Sequence, residues 1–239
     1  MYSFDTFKKG LAELEIELSE KQLQQFVQYY ELLVEWNKVM NLTGITEWEE
    51  VVQKHFLDSL ALVYAIEPED GMKVLDVGTG AGFPGIPLKI AFPQLDIVLL
   101  DSLNKRIKFL NEVIEQLGLK KIQAHHGRAE DFAQNKQYRE KFDLVVSRAV
   151  ANLSTLSEYC IPFVDIGGCF VSYKSGTVDE ELDQSANAIE LLGGCLEDVE
   201  EFVIPDTDIC RSLVVIHKEE NTKKKYPRGG GKPSKDPLH

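Results

Sequence analysis

Residues 74–85 read Val74-Leu75-Asp76-Val77-Gly78-Thr79-Gly80-Ala81-Gly82-Phe83-Pro84-Gly85. A short apolar run passes into glycines at alternate positions and then into a helix. This is the pattern of the first βα turn of a doubly wound sheet, where missing side chains let a nucleotide-like ligand approach the backbone and the helix N-terminus. Gly80, Gly82 and Gly85 satisfy G-x-G-x-x-G, the dinucleotide fingerprint. That fingerprint should begin directly after the strand, and counted from Gly78 its third glycine falls on Phe83. Asp76 also sits two residues before the first glycine, where a pyrophosphate would be repelled. S-adenosyl-L-methionine carries a cationic amine and a sulfonium but no phosphate, so the acidic neighbour favours it over NAD.

Outward from this turn, apolar runs recur at Lys73 to Val77, Asp96 to Leu100, Lys121 to His125, Phe142 to Ser147, Gly168 to Tyr173, Phe202 to Ile204 and Leu213 to His217. The first five are separated by segments long enough for crossover helices, which predicts a mostly parallel seven-stranded α/β sheet, Rossmann-like, with helices on both faces. The last two are too close for a crossover and predict a terminal antiparallel hairpin. Residues 1–70 carry helical periodicity, with Leu23, Phe26, Val27, Tyr30, Leu33 and Val34 on one stripe, and Thr46 with Glu49 as a capping box for a second helix through Leu60. The reading is a helical layer over 1–70, a catalytic domain over 71–218 and a basic, flexible tail over 219–239, where three consecutive glycines and three prolines cannot build a core.

Several polar groups fall at the C-terminal ends of consecutive runs, so a single crevice would collect them. Asp101 can accept hydrogen bonds from ribose hydroxyls, or serve only as a helix N-cap. Ala129 and Glu130 could meet an adenine amine, or start a solvated helix. Arg148, in Ser147-Arg148-Ala149-Val150, could face a substrate phosphate, hold nearby acidic groups or be a surface charge. His55 and Asp58, three apart on a helix, could touch ligand or form a structural pair. His125 and His126 are adjacent in a strand and point to opposite faces, which excludes a shared metal. Cys160, Cys169, Cys195 and Cys210 lack zinc or disulfide spacing, so reduced and mostly buried thiols are expected, with no metal.

The chain has 239 residues and a formal net charge of −13. Such an acidic balance excludes indiscriminate coating of nucleic acid, which is driven by Lys and Arg. The charge is uneven, however: −9 over 1–70, +3 over 71–150, −11 over 151–217 and +4 over 218–239. A local, selective RNA site is compatible with that division. No apolar stretch is long enough to span a bilayer and the start lacks a signal-peptide pattern, so a cytoplasmic protein without membrane contact is expected, and nothing demands an oligomer.

The fourth run lacks both the Asn/Asp-Pro-Pro-aromatic device of amine methylation and the cysteine of pyrimidine carbon methylation. Such a site suits an acceptor that is already nucleophilic, such as guanine N7. The sequence resembles the bacterial ribosomal RNA small-subunit methyltransferase G family, also called glucose-inhibited division protein B. The resemblance rests on Trp36-Asn37 with Asn41-Leu42-Thr43, His55-Phe56-Leu57-Asp58-Ser59-Leu60, the glycine turn, Arg128-Ala129-Glu130, Ser147-Arg148-Ala149 and the tail from Lys225-Tyr226-Pro227-Arg228 to Lys235-Asp236-Pro237-Leu238. It implies a class I adenosylmethionine-dependent methyltransferase fold and methylation of guanine N7 at position 527, in the 530 loop of 16S rRNA. The partner would be the RNA or the small ribosomal subunit. Implied cofactor contacts are Gly78, Gly80, Phe83, Asp101, Ala129, Glu130 and Arg148, with Arg148 the one catalytic candidate in a site that works by positioning. Gly229-Gly230-Gly231 departs from the usual tail and puts its RNA contact in question. An NAD-dependent oxidoreductase lacks a Tyr-x-x-x-Lys here, and a non-catalytic nucleotide-binding assembly factor is the remaining alternative.

Overall fold

The computed structural model describes residues 2–148 and 151–238. Its centre is a seven-stranded sheet in the order β3-β2-β1-β4-β5-β7-β6. The strands are β1 (Lys73–Val77), β2 (Asp96–Asp101), β3 (Ile122–His126), β4 (Phe142–Arg148), β5 (Val164–Ser175), β6 (Gly194–Val203) and β7 (Cys210–Lys218). β3, β2, β1, β4 and β5 run parallel, whereas β7 pairs antiparallel with both β5 and β6. Strand order therefore reverses beside β1, and a crevice opens at the C-terminal ends of β1 and β4.

β6 starts eight residues before the run that announced it. Its sequence, GCLEDVEEFV, is acidic and mostly exposed, and a bulge at Glu197 shifts the register between Leu196 and Asp198. Charge and a bulge are how an edge strand avoids pairing with other chains, and both erase the alternation by which a strand is recognised.

The N-terminal layer consists of α1 (Asp5–Glu13), α2 (Glu20–Met40) and a broken third segment. The capping box lies at α2, where Ser19 and Gln22 exchange hydrogen bonds. The Thr46–Glu49 box does not form. Glu47 is the N-cap of α3 (Trp48–Val51) and makes no side-chain cap. α3 runs into a π-helical turn over Val52–Leu57 and then α4 (Asp58–Leu60). A π turn adds a residue to the helical repeat and rotates the next stretch of helix about its axis, a device frequent at functional sites. Here it carries His55 and precedes Asp58.

α2 joins the sheet layer through hydrogen bonds as well as apolar packing. Gln22 Nε2 donates to the carbonyls of Ile90 and Ala91, at the end of α5 (Gly85–Ala91), and Gln25 Nε2 donates to Leu117 O after α6 (Asn104–Gln116). These amides satisfy carbonyls that helix ends leave without partners. The buried hydroxyl of Tyr29 donates to Ala81 O at 2.6 Å, tying the layer to the glycine turn. One core runs through Phe7, Phe26, Phe56 and the sheet face bearing Val74 and Leu99. A second lies on the other face, around Leu156 and Phe170.

In place of a flexible tail, the residues after β7 are packed. Arg139, seven residues past the end of α7 (Ala129–Phe132), donates to the carbonyls of Thr222 and Tyr226, and Arg228 reaches Glu158 of α8 (Leu153–Cys160). The three glycines supply turns rather than slack. The tail polar groups find partners in the body of the domain, which composition does not reveal.

Replacing Tyr29 by Phe strands the Ala81 carbonyl and is expected to cost about 1–3 kcal/mol. Denaturant titration of Tyr29→Phe checks this, and unchanged stability contradicts the tie between α2 and the turn.

Candidate active site

The glycine turn is built from beneath. Asp76, fully buried at the end of β1, accepts from Thr79 Oγ1 at 2.6 Å and from Gly85 N–H at 2.9 Å. Burial raises its pKa to about 6, opposed by these two hydrogen bonds. A Cβ on Gly85 would stand 2.3 Å from Leu99 Cδ2, so only glycine lets α5 lie this close to the sheet. Asp76 holds the turn and is absent from the cavity wall above it, so its carboxylate is not the direct cation neighbour that the sequence suggested. Gly80, at φ +62°, presents its missing side chain to that cavity, with only Gly78 O within 4 Å of a Cβ.

Three cavities adjoin along the strand ends. One of about 380 Å³ is walled by Gly78, Asp101, Ala129 and Glu130, together with Tyr159 and the tail residues Gly231, Ser234 and Lys235. The next, about 410 Å³, is walled by Thr43, Gly78, Gly80, Phe83, Asp101 and Arg148. Gly78, Asp101 and Ser102 belong to both. The third, about 480 Å³, shares His55 and Arg148 with the second. All seven residues singled out from the sequence, Gly78, Gly80, Phe83, Asp101, Ala129, Glu130 and Arg148, thus line the first two cavities. Ala149 and Val150 lie outside the described residues.

Asp101 sits at the junction of the first two. Its oxygens accept from Gly80 N–H at 2.9 Å, Leu103 N–H at 2.8 Å and Arg106 Nη1 at 3.0 Å. It is not a helix N-cap, since Leu103 holds that position in α6 without a side-chain cap; it joins the turn after β1 to the turn after β2. A carboxylate offers about four acceptor sites, so room remains for one ribose hydroxyl, and Arg106 is the partner that can yield a second.

Arg148 occupies the junction of the second and third cavities. Nη1 donates to Asp58 Oδ2 at 2.8 Å, and its guanidinium lies over the Phe83 ring at 5.0 Å. Asp58 is buried and accepts a second guanidinium through Arg211 Nε at 3.1 Å. His55 stacks on Phe83 with ring centroids 4.5 Å apart, and its Nε2 meets Thr43 Oγ1 at 2.9 Å. Asn37 Oδ1 accepts from the backbone of Leu42 and Thr43, fixing the loop that brings Thr43 there. Burial, and then the charge of Arg148, lowers the pKa of His55 from 6.5 to about 3. It is a neutral ring at neutral pH, not a proton shuttle.

The structure adds two contributors that the sequence reading lacked, Arg211 and the tail. Arg211 belongs to the start of β7, a run read only as a hairpin strand. The tail carbonyls and amides complete the first cavity: Gly231 N–H donates to Glu130 Oε1 at 3.2 Å and Thr155 Oγ1 donates to Pro233 O at 3.0 Å. Arg228 clamps the fully buried Glu158 with Nε at 3.0 Å and Nη2 at 2.8 Å. His125 and His126 diverge as expected, one towards Phe132 and Tyr138 and the other to Ser102 O. The cysteines are free thiols, but only Cys160 is buried; Cys195 and Cys210 are exposed. At the far end of the strands Cys169 Sγ lies 3.6 Å from Glu197 Oε2 and 3.8 Å from His217 Nδ1, away from the crevice. Among the described residues no helix is long and apolar enough to cross a membrane.

A family model described as rRNA small subunit methyltransferase G matches residues 22–212. A protein of Lachnoclostridium phytofermentans named ribosomal RNA small subunit methyltransferase G is 58% identical over 233 residues, covering 98% of this chain and 96% of the relative. One of the same name from Acetivibrio thermocellus is 51% identical over 230 residues, covering 96% and 94%. Among solved structures, TrmN from Thermus thermophilus superposes with a TM-score of 0.52 at 16% identity, covering 70% of this chain and 53% of that one, a likeness of fold alone.

Removing the Arg228 guanidinium leaves buried Glu158 without its countercharge and with only the residue-228 N–H among these donors, so Arg228→Ala is expected to lower stability by about 3–5 kcal/mol and to expose the tail to protease. Denaturant titration and limited proteolysis read both; an unchanged cleavage rate contradicts the clamp. The unfolded chain takes up a proton at His55 before the folded one does. The stability from the neutral ring is therefore full above about pH 6.5 and is lost as pH falls towards 3. The stability difference between the wild type and His55→Gln should narrow over that interval in unfolding measurements, and a constant difference contradicts the assignment.

Proposed function

Because the chain belongs to the rRNA small subunit methyltransferase G family, we propose that its three joined cavities are the adenine, methionine and acceptor compartments of one methyl-transfer site. The protein is an S-adenosyl-L-methionine-dependent rRNA methyltransferase with a class I methyltransferase fold, acting on guanine N7 of 16S rRNA. The observation that carries the site assignment is the shared walls: Gly78 and Asp101 join the first two compartments, and His55 and Arg148 join the second to the third.

The residues present fit the cofactor. The bare Gly80 backbone leaves open floor beside Asp101, and the Asp101 carboxylate lies where a ribose diol would join an adenine flanked by Ala129 and Glu130 to a methionine portion beside Phe83. When bound, adenosylmethionine supplies an electrophilic methyl group that the N7 lone pair can take directly, so no proton has to leave the acceptor first. Among the described residues neither His55 nor Cys160 is presented as a general base at the junction. His55 is held neutral, and Cys160, a buried thiol whose pKa burial pushes well above its usual value, lies in the second core. What the chain supplies is placement, worth several kcal/mol when reacting atoms are aligned. Phe83, His55 and Arg148 form a stacked wall, and Asp58 fixes Arg148 in it.

Lys54, Arg148, Lys174 and Arg211 around the third cavity, with Arg128 and Lys235 at the first, give an otherwise acidic protein a local cationic face for RNA phosphates. The acidic remainder limits binding through other faces. We place this activity in a cytosolic monomer acting on the small subunit or its RNA.

The test is incubation with methyl-labelled adenosylmethionine and 16S rRNA or subunits lacking the modification. Label in 16S rRNA, with strand scission at one guanosine by aniline after borohydride reduction, is the expected result; cofactor binding without transfer contradicts it. Asp101→Ala should weaken cofactor binding about tenfold or more in a calorimetric titration, the loss of one or two hydrogen bonds to a charged group.

A further inference from the structure

The third cavity lies on the far side of Arg148 from the glycine turn. Ile45, Tyr173 and Val178 give it apolar surface, and the Tyr173 hydroxyl is committed to Ser59 O at 2.8 Å. A flat heterocycle fits such walls. The charged groups are two carboxylates, Asp58 and Glu181, and four cations, with His55, Ser175 and Thr177 as neutral polar neighbours. The two carboxylates are not equivalent. Both Asp58 oxygens receive guanidinium donors and the side chain is 4% exposed. Glu181, on α9 (Asp179–Leu191), is 38% exposed and its ion-pair partner is Lys174, at 2.7 Å.

Guanine carries acceptors N7 and O6 on one edge and donors N1–H and the N2 amine on the side remote from N7. If N7 faces the methionine compartment, O6 lies beside it at the wall that the two cavities share, where Arg148 stands. The N1–H and N2 donors then point into the third cavity, towards the carboxylate that is not already enclosed by two guanidinium groups. Adenine in the same pose would set an amine against the Arg148 cation and a lone pair against the Glu181 carboxylate. The site would thus repel the wrong purine as well as attract the right one.

We propose that this cavity is the acceptor-base pocket, in which Arg148 donates to guanine O6 and Glu181 accepts from N1–H and the N2 amine. The proposal rests on the methyl-transfer reading above. Arg211 is a positioning residue in this scheme: through Asp58 it holds Arg148 at the shared wall. Glu181 becomes the residue that specifies the base.

The test pairs an enzyme variant with a substrate variant. Inosine in place of the acceptor guanosine deletes only the N2 amine. With wild-type enzyme, kcat/KM should fall about 10- to 100-fold on the inosine RNA, the usual effect of leaving a charged acceptor without its donor. Glu181→Ala should methylate guanosine RNA more slowly but distinguish the two RNAs by less than about threefold, the remainder left when the paired group is gone. Its affinity for adenosylmethionine, read by calorimetry, should match the wild type, which also establishes that the variant is folded. Undiminished discrimination by Glu181→Ala, or none by the wild type, overturns the assignment. Absence of methylation of guanosine RNA by the wild type would instead overturn the function reading, so the two failures are distinguishable.

Discussion

The geometry of the crevice depends on one buried carboxylate. Asp58 comes directly after the π-helical turn, accepts from Arg148 at the end of β4 and from Arg211 at the start of β7, and has almost no contact with solvent. A charge removed from water is tolerated only when paired and hydrogen bonded, and losing one partner leaves it uncompensated. The helical layer, the parallel half of the sheet and the antiparallel edge are therefore held in a single arrangement by an interaction that spans 153 positions of sequence. Arg148 is fixed as a consequence, over the Phe83 ring and between two cavities.

Around that point the chain uses hydrogen bonds to fix loops that apolar packing would leave loose. Asp76 secures the glycine turn from below, Tyr29 from the side, and Asp101 links it to the next turn. The tail extends the same logic to the adenine side, where the Arg228–Glu158 clamp brings Gly231 to Glu130. A site that works by alignment requires such rigidity, since small displacements of a positioned acceptor forfeit much of the rate.

The acidic average of the protein and its cationic crevice belong to different parts of the fold. The edge strand β6 and the helix α9 carry dense acidic charge, which along β6 guards an exposed sheet edge, whereas Lys54, Arg148, Lys174 and Arg211 line the third cavity. Net charge alone describes neither region.

Strand runs, crossover lengths and the spacing of the glycines are local properties, and from them the sequence by itself determined the seven-stranded sheet, its terminal hairpin and a nucleotide-type crevice at the strand ends, while the resemblance to a family supplied adenosylmethionine and most of the seven residues that line the first two cavities. The extent of β6 was not legible, because a bulged acidic edge strand lacks alternation. The capping box at Thr46 failed because the helix there is entered from Glu47 and then widens into a π turn. What only the tertiary structure decided are groupings of distant residues: Asp58 with two arginines, Arg228 with Glu158, the tail as a wall of the first cavity, and Glu181 in the lining of the third together with Arg148. A residue's type and neighbours in sequence state which hydrogen bonds it can make. Which partner it meets in the absence of water depends on burial, and burial is a property of the folded chain.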